Sequence, residues 1–571
     1  TPQRGLFSLG LDSLMALDIR NRIHDKLQCP SLNLSIEYFI NDPTIDKIAR
    51  NIADELQIIL QDVAVSQKQT SVTSIPEEVA VCDFQYIFWV LNKLNYGFNI
   101  GMQVQLHGRL NRDHVAQAFD YLVKHNSTFW INFNNEIPTQ FLKREGKFNL
   151  IYNDISLSNE AEQVLNIEFH KNMMGLIPLN QQPLIKVYLY KINNDLHELH
   201  IVIPHIIVDD TSCEIVFTEF KLCYEALSLG KKLVPVPESN TYLNYVRLNN
   251  NHYEKNLAAK IDFWQGYNKG FKMLNFGKQY HLPDAANQPK NLFHYPLDKQ
   301  MITRLLSWHK EKNINVTTGL IAACQIVFYK LSLQNKVPII LIHSGRAGSQ
   351  YKYVVGLFSE YKRINIHLKD EYQFMDCVNT IEEQLLKTAA HQGCSHFIKN
   401  KGLKGAGLPV SQYWEFIYNK LTLGKLFKKT KLDATIINYY LEYLSRMLAD
   451  RKSILMKFKL NKLFNLKLPL QKPDRMRVLL SVTPSFFAKE VPQMRFANID
   501  YSFPGHFDCM DRPIGNQTLW VYFSKNQKGE YQLSINGPLT IECKKQIAIE
   551  LNALIAKIME DDKYTVMDLI Q

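Results

Sequence analysis

The spacing of apolar and polar positions divides the chain into stretches of different character. Over the first sixty residues the period is helical. Leu14, Ile19, Ile23 and Leu27 follow a turn rich in Gly and Ser, and Ile45, Ile48, Ile52 and Leu56 follow Pro43-Thr44. Asp12 or Ser13 is expected to start the first of these helices, and Pro43-Thr44 the second, since Pro suits a first helical position. Residues 61–78 are polar, enriched in Ser, Thr and Gln, and aperiodic, which is the composition of a linker. From about residue 79 onward, two-residue alternation (MQVQLHGRL, LHELHIVIPH) interleaves with 3.6-residue runs (HVAQAFDYLVKH), an α/β pattern. No internal repeat suggests a solenoid.

Length and composition sharpen this picture. A chain of 571 residues exceeds one ordinary core, and 46% apolar with 21% charged residues suits packed interiors rather than a disordered or coiled-coil chain. No window approaches about eighteen uninterrupted apolar residues, and the start TPQRGLFSLG lacks a basic leader, so a cytoplasmic protein is expected. The chain opens on Thr1 rather than Met and is read as a piece of a longer protein. Nine cysteines without CxxC pairs read as reduced, mostly buried thiols, with no metal site expected.

The net charge of +11 is local: residues 399–477 hold 18 Lys and Arg against 5 Asp and Glu, an excess of 13. One basic segment describes one surface and does not make a nucleic-acid binder. Within it, LGKLFKKTKL and ILMKFKLNKLFNLKLPL alternate Lys with large apolar residues. A solvated face over core contacts, a dock for an acidic carrier surface, and contact with an anionic membrane are the three uses that fit.

Two segments carry chemistry. In GLFSLGLDSLMALDIRNRI, Ser13 sits at a helix start after Asp12 and a Gly-containing turn. The commoner role of such a serine is an N-cap, but a hydroxyl there is accessible, and the helix N-terminus favours a phosphate ester. In IVIPHIIVDDTSCEIVFTEF, a strand runs through a loop into a helix. Acyl transfer from a thioester to an amine or alcohol needs a base near the nucleophile and stabilisation of the oxyanion. His205, with an ordinary pKa of about 6.5, suits the first task, although a histidine at a strand end is more often satisfied by local hydrogen bonds. Thr211 and Glu214 have the spacing of a capping box for the helix.

LGLDSL, MALDIRNRI and LSIEYFINDPTIDKIARNIADEL resemble the carrier domains of polyketide synthases. The resemblance implies that Ser13 receives 4'-phosphopantetheine, covalently, from a phosphopantetheinyl transferase. The family's first helix is missing, so residues 1–60 form an incomplete α-helical bundle. The loop around His205 resembles the HHxxxDG signature of condensation domains in nonribosomal peptide synthetases, with Pro204, His205, Asp209 and Asp210 at its named positions. Landmarks such as YLNYV, FWQGY, VTTGLIAACQIVFYKL and HSGRAGSQYKYVVGLFSEYKRINI follow in the family's order. Together they resemble a hybrid polyketide and nonribosomal peptide synthase.

The implied fold is an α/β, two-lobed, chloramphenicol-acetyltransferase-like condensation domain, with one lobe over 79–255 and the other over 256–571, the latter including the basic insertion. His205 is the implied catalytic residue, and Asp209 and Asp210 are structural at the active site. Three departures from the family pattern bear on activity. Phe129 or Trp130 stands where an arginine partner for Asp209 is expected, so Asp209 is expected to lack its cation. Asp210 replaces the loop glycine, and the DFGWG landmark of peptide-forming members is not recognisable. Two readings follow. In the first, an acyl or polyketide intermediate on Ser13 is transferred to an amine or hydroxyl acceptor, with other modules or carrier domains as partners. In the second, the domain is non-catalytic and serves carrier docking.

Overall fold

The computed structural model describes Ile23, residues 44–54, and the greater part of 78–391, 475–482, 495–502 and 518–571. Ser13, the linker, and the basic segment up to residue 474 lie outside the described residues. Of the carrier segment, the helix over 45–54 is described. Thr44 accepts from the Lys47 N–H at 3.1 Å and so caps a helix that begins at Ile45, two residues after Pro43, and Ile48 is buried whereas Ile45 is exposed.

The remainder divides into two compact units, and the chain passes between them more than once. The first unit takes residues up to Leu257 and then recovers Ser344–Glu360 and Pro492–Cys509, while the second holds Ala258–His343, Tyr361–Val491 and Met510–Gln571. The first unit thus includes two stretches of later chain besides the residues up to Leu257.

The first unit is built on strands β1 (Val79–Ala80), β2 (Asn99–His107), β3 (Ile131–Phe133), β4 (Thr139–Leu142), β5 (Leu150–Asp154), β6 (Lys186–Asn193) and β7 (Leu196–Pro204). A six-stranded sheet has the order β13-β14-β2-β7-β6-β5, where β13 (Arg495–Phe496) and β14 (Ile499–Ser502) are the late returning hairpin. A small sheet, β1-β4-β3, accompanies it. Helices are numbered from α1 (Arg112–His125), α2 (Ala161–Met174), α3 (Asp210–Ser228) and α4 (Tyr242–Lys255).

On β2, Ile100, Met102, Val104 and Leu106 form one apolar face, in register with Leu199, Ile201 and Ile203 of β7. The opposite face carries Gln103, Gln105, Glu198 and His200 under α2. There the His200 Nε2 and Glu198 Oε1 atoms pair at 2.7 Å with both side chains buried, and Gln103 donates to Glu198 at 2.8 Å. A polar group removed from water needs such partners.

The second unit centres on a seven-stranded sheet, β11-β10-β12-β15-β16-β9, with β8 on β12. Its strands are β8 (Leu274–Asn275), β9 (Leu292–Pro296), β10 (Lys336–His343), β11 (Glu360–His367), β12 (Arg475–Val482), β15 (Thr518–Lys525) and β16 (Tyr531–Asn536). Its helices are α5 (Lys299–Glu311), α6 (Val316–Ser332), α7 (Phe374–Ala389), α8 (Ile541–Glu560) and α9 (Val566–Ile570). Helix α6 is buried from Thr318 through Phe328, and Asn315 caps its start by accepting from Thr317 N–H at 2.9 Å. Such a helix belongs inside a core. Cys213, Cys223, Cys324, Cys377 and Cys543 are buried thiols in the two units. Among the described residues no single helix is long and apolar enough to cross a membrane.

The corner between α5 and α6 is closed by His309. Its Nδ1 donates to the Leu305 carbonyl at 2.8 Å, and its buried ring lies over Gly319, where a Cβ would fall well inside 3.0 Å of Nε2. Gly319 is thus required for close approach. Replacing it with Ala is expected to cost about 1–3 kcal/mol, read as a lowered urea midpoint. Burial pushes the pKa of both His309 and His197 down from the ordinary 6.5. The unfolded chain therefore binds more protons just below that value, so their stability contribution is intact above it and is lost as pH falls toward the folded values. The urea midpoint is expected to fall between about pH 7.5 and about pH 5.5, and less steeply in His309→Gln.

Candidate functional site

Strand β7 lies between β2 and β6 and is buried along nearly its whole length. Pro204 closes it, and a residue with no N–H is tolerated at a strand end. His205 follows, and its N–H donates to the Phe98 carbonyl at 2.9 Å, which carries the ladder one step past the strand. Ile206, Ile207 and Val208 then bury completely. The histidine is therefore held by backbone on both sides.

Its ring is oriented as firmly. Nδ1 lies 2.7 Å from the Val208 carbonyl oxygen. A carbonyl can only accept, so Nδ1 carries the hydrogen, and in the neutral ring Nε2 bears the lone pair. Phe88 and Phe98 stack on the imidazole with centroids at 4.6 and 5.6 Å, and Phe84 meets it edge-on at 6.3 Å.

Asp209, buried, is the N-cap of α3. Its Oδ1 accepts from Ser212 N–H (2.8 Å), the Ser212 hydroxyl (2.8 Å) and Arg346 Nη2 (2.9 Å). Its Oδ2 accepts from Arg346 Nη1 (2.8 Å), Phe358 N–H (2.9 Å) and Ser359 N–H (3.1 Å). Both oxygens are saturated with donors, the geometry of an anchor rather than of a group that exchanges protons. Asp210 is exposed in the first turn of α3, where an acidic side chain complements the helix N-terminus.

Two expectations are corrected here. Asp209 does not lack its cation: a buried, bidentate Arg346 supplies it, from the segment that follows β10. Phe129 and Trp130, where an arginine was sought, are core residues, and the Trp130 indole donates to the Val123 carbonyl at 2.7 Å. Nor do Thr211 and Glu214 cap the helix, because Asp209 already accepts the Ser212 N–H.

Sequence reasoning missed Arg346 and Ser212. The Ser212 hydroxyl lies 2.7 Å from the Gly356 carbonyl and accepts from Gly356 N–H at 2.9 Å and from Arg346 Nη2 at 2.7 Å. The Arg346 guanidinium also stacks over Phe358 at 4.5 Å. A signal was available: Gly345-Arg346 follows the apolar run VPIILIH after one residue, Ser344. Gly345 has φ +59°, and a Cβ there would strike the Phe358 carbonyl, so only glycine lets the arginine turn in. Thr128 and Tyr242 hold the same segment, donating to the Val355 and Leu357 carbonyls at 2.7 and 3.0 Å. Burial pushes the neighbouring Cys213 thiol well up in pKa, the charges of Asp210 and Asp209 adding to the effect, so it stays a thiol.

An α/β protein of two large sheets and a small one, with an oriented histidine between a buried strand and a capped helix, defines the class. Comparison with known proteins supplies the family. Residues 75–396 match the model of the condensation domain, and residues 1–52 match that of the phosphopantetheine attachment site. The chain belongs to the condensation domain family, preceded by a carrier segment as in nonribosomal peptide synthetase assembly lines, and the second match indicates covalent 4'-phosphopantetheine.

Bacitracin synthase 2 of Bacillus licheniformis is 21% identical over 394 residues, covering 68% of this chain and 14% of that protein. Bacitracin synthase 3 of the same organism is 24% identical over 430 residues, covering 71% and 6%. The chain thus spans a small fraction of these relatives. Among solved structures, the first condensation domain of the CDA synthetase shares the fold with a TM-score of 0.56, at 12% identity over 88% of this chain and 99% of that one. The X-domain from teicoplanin biosynthesis does so at 0.57, with 14% identity over 87% and 98%.

The anchor is testable by denaturation. Arg346→Met strands a buried carboxylate and is expected to cost about 3–5 kcal/mol, while Asp209→Asn combined with Arg346→Met recovers part of that loss.

Proposed function

We propose that this chain transfers an acyl intermediate, carried on phosphopantetheinyl Ser13, to an amine or hydroxyl acceptor, with His205 as the general base. The observation that carries the reading is the His205 Nδ1 contact with the Val208 carbonyl, which directs the basic lone pair to Nε2. When bound, the phosphopantetheine arm supplies a thioester, whose carbonyl carbon accepts a nucleophile.

His205 takes the proton from the acceptor nitrogen or oxygen at Nε2 as the new bond to the acyl carbon forms. It returns that proton to sulfur as the carbon–sulfur bond breaks. The products are an amide or ester and a thiol, with no oxidant or reductant consumed. Cys213, buried and protonated, offers no competing nucleophile, which supports direct transfer without an acyl-enzyme. Asp209, Ser212 and Arg346 keep the loop in place, and Asp210 stands beside it at the helix start. A phosphopantetheinyl transferase and other synthase modules are the partners this architecture implies.

The test loads an acyl group on Ser13 in a chain extended upstream to a complete carrier domain, adds a panel of amines and alcohols, and follows release by intact mass. Acceptor-dependent release that is lost in His205→Ala is expected, and the product mass identifies the bond. Persistent loading with every acceptor overturns transfer in favour of a carrier-docking domain.

A further inference from the structure

A second polar group acts on the same loop from the opposite side. Gln85 is fully buried and its hydrogen-bonding capacity is fully used. Its Nε2 donates to the Ile206 carbonyl at 3.0 Å and to Gln140 Oε1 at 3.1 Å. Its Oε1 accepts from Gln140 Nε2 at 2.7 Å and from the Cys82 N–H at 3.2 Å. A primary amide has two donors and two acceptor lone pairs, and here all four are spent.

Two of these contacts form a reciprocal amide pair with β4. Another reaches the residue that follows His205. The side chains of Phe84 and Phe88, on either side of Gln85, reach the same histidine. Phe84 meets the imidazole edge-on and Phe88 stacks on it with an interplanar angle of 24°. The segment is also tied down by Trp89, whose indole donates to the Asn134 carbonyl at 2.9 Å.

One buried amide thus bonds the carbonyl beside His205, and the nearby Phe84 and Phe88 rings flank its imidazole. We infer that Gln85 is a positioning residue for His205: it holds the Ile206 carbonyl and the Phe84–Phe88 segment so that the imidazole keeps one orientation. The inference rests on the proposed role of His205 for its catalytic meaning, but not for its geometry. Misplacing a catalytic group by about 1 Å costs on the order of a hundredfold in rate, so a residue that acts only through another still has a measurable effect on turnover.

The test compares Gln85→Met with Gln140→Met in the loaded protein. Both break the reciprocal amide pair, but only the first removes the donor to Ile206. Gln85→Met is expected to lower kcat about 10- to 100-fold with KM within about threefold, and Gln140→Met to lower kcat by no more than about threefold.

A readout independent of turnover is carbethoxylation of His205 by diethyl pyrocarbonate, followed by peptide mass. Its rate and pH dependence are expected to change in Gln85→Met and to stay near wild type in Gln140→Met. Equal effects of the two variants on both measurements, or no change in His205 modification in Gln85→Met, overturn the inference. Retained turnover in His205→Ala defeats the functional reading instead, and the modification experiment still decides whether Gln85 orients the ring.

Discussion

The buried pair of Asp209 and Arg346 is the constraint on which the first unit's functional loop depends. A carboxylate taken out of water is costly unless its oxygens are fully engaged, and a guanidinium presents the fork that engages them two at a time. Asp209 meets this condition with donors from its own helix, from the arginine and from the backbone at Phe358 and Ser359. Helix α3 therefore starts where it does, the segment around Val354–Phe358 has one seat, and the turn that presents His205 is bounded on its downstream side. Gly345, Thr128 and Tyr242 serve the same seat from other directions.

Around that anchor the histidine is held by main-chain groups and by side chains together. Phe98 accepts from its N–H, Val208 accepts from its Nδ1, and Gln85 holds the next carbonyl.

How much of this was legible depends on the range of the interaction concerned. The strand MQVQLHGRL, the helix HVAQAFDYLVKH and the strand leading to His205 were readable because their periods of 2 and 3.6 are local properties. Alternation does not reveal which face is wet, however. Glu198 and His200 occupy polar positions of an alternating strand, yet both are buried beneath α2, a helix with no clear apolar stripe to announce that it covers anything. The candidate histidine was legible from its strand-to-helix context. Its supports were not, because Gln85 lies 121 residues before the carbonyl it holds. The cation of Asp209 was expected just after α1, at Phe129 or Trp130, and comes instead from Arg346, later in the chain.

The sequence separation of the Asp209 and Arg346 pair has a consequence for biosynthesis. Arg346 is encoded 137 residues after Asp209. At roughly 5–20 residues per second on the ribosome, the carboxylate emerges about 7–27 s before its cation. During that interval the start of the second unit, Ala258–His343, must be translated first. The nascent first unit cannot close its own interior, and the order of emergence makes its final step wait upon chain that belongs in contact terms to its neighbour.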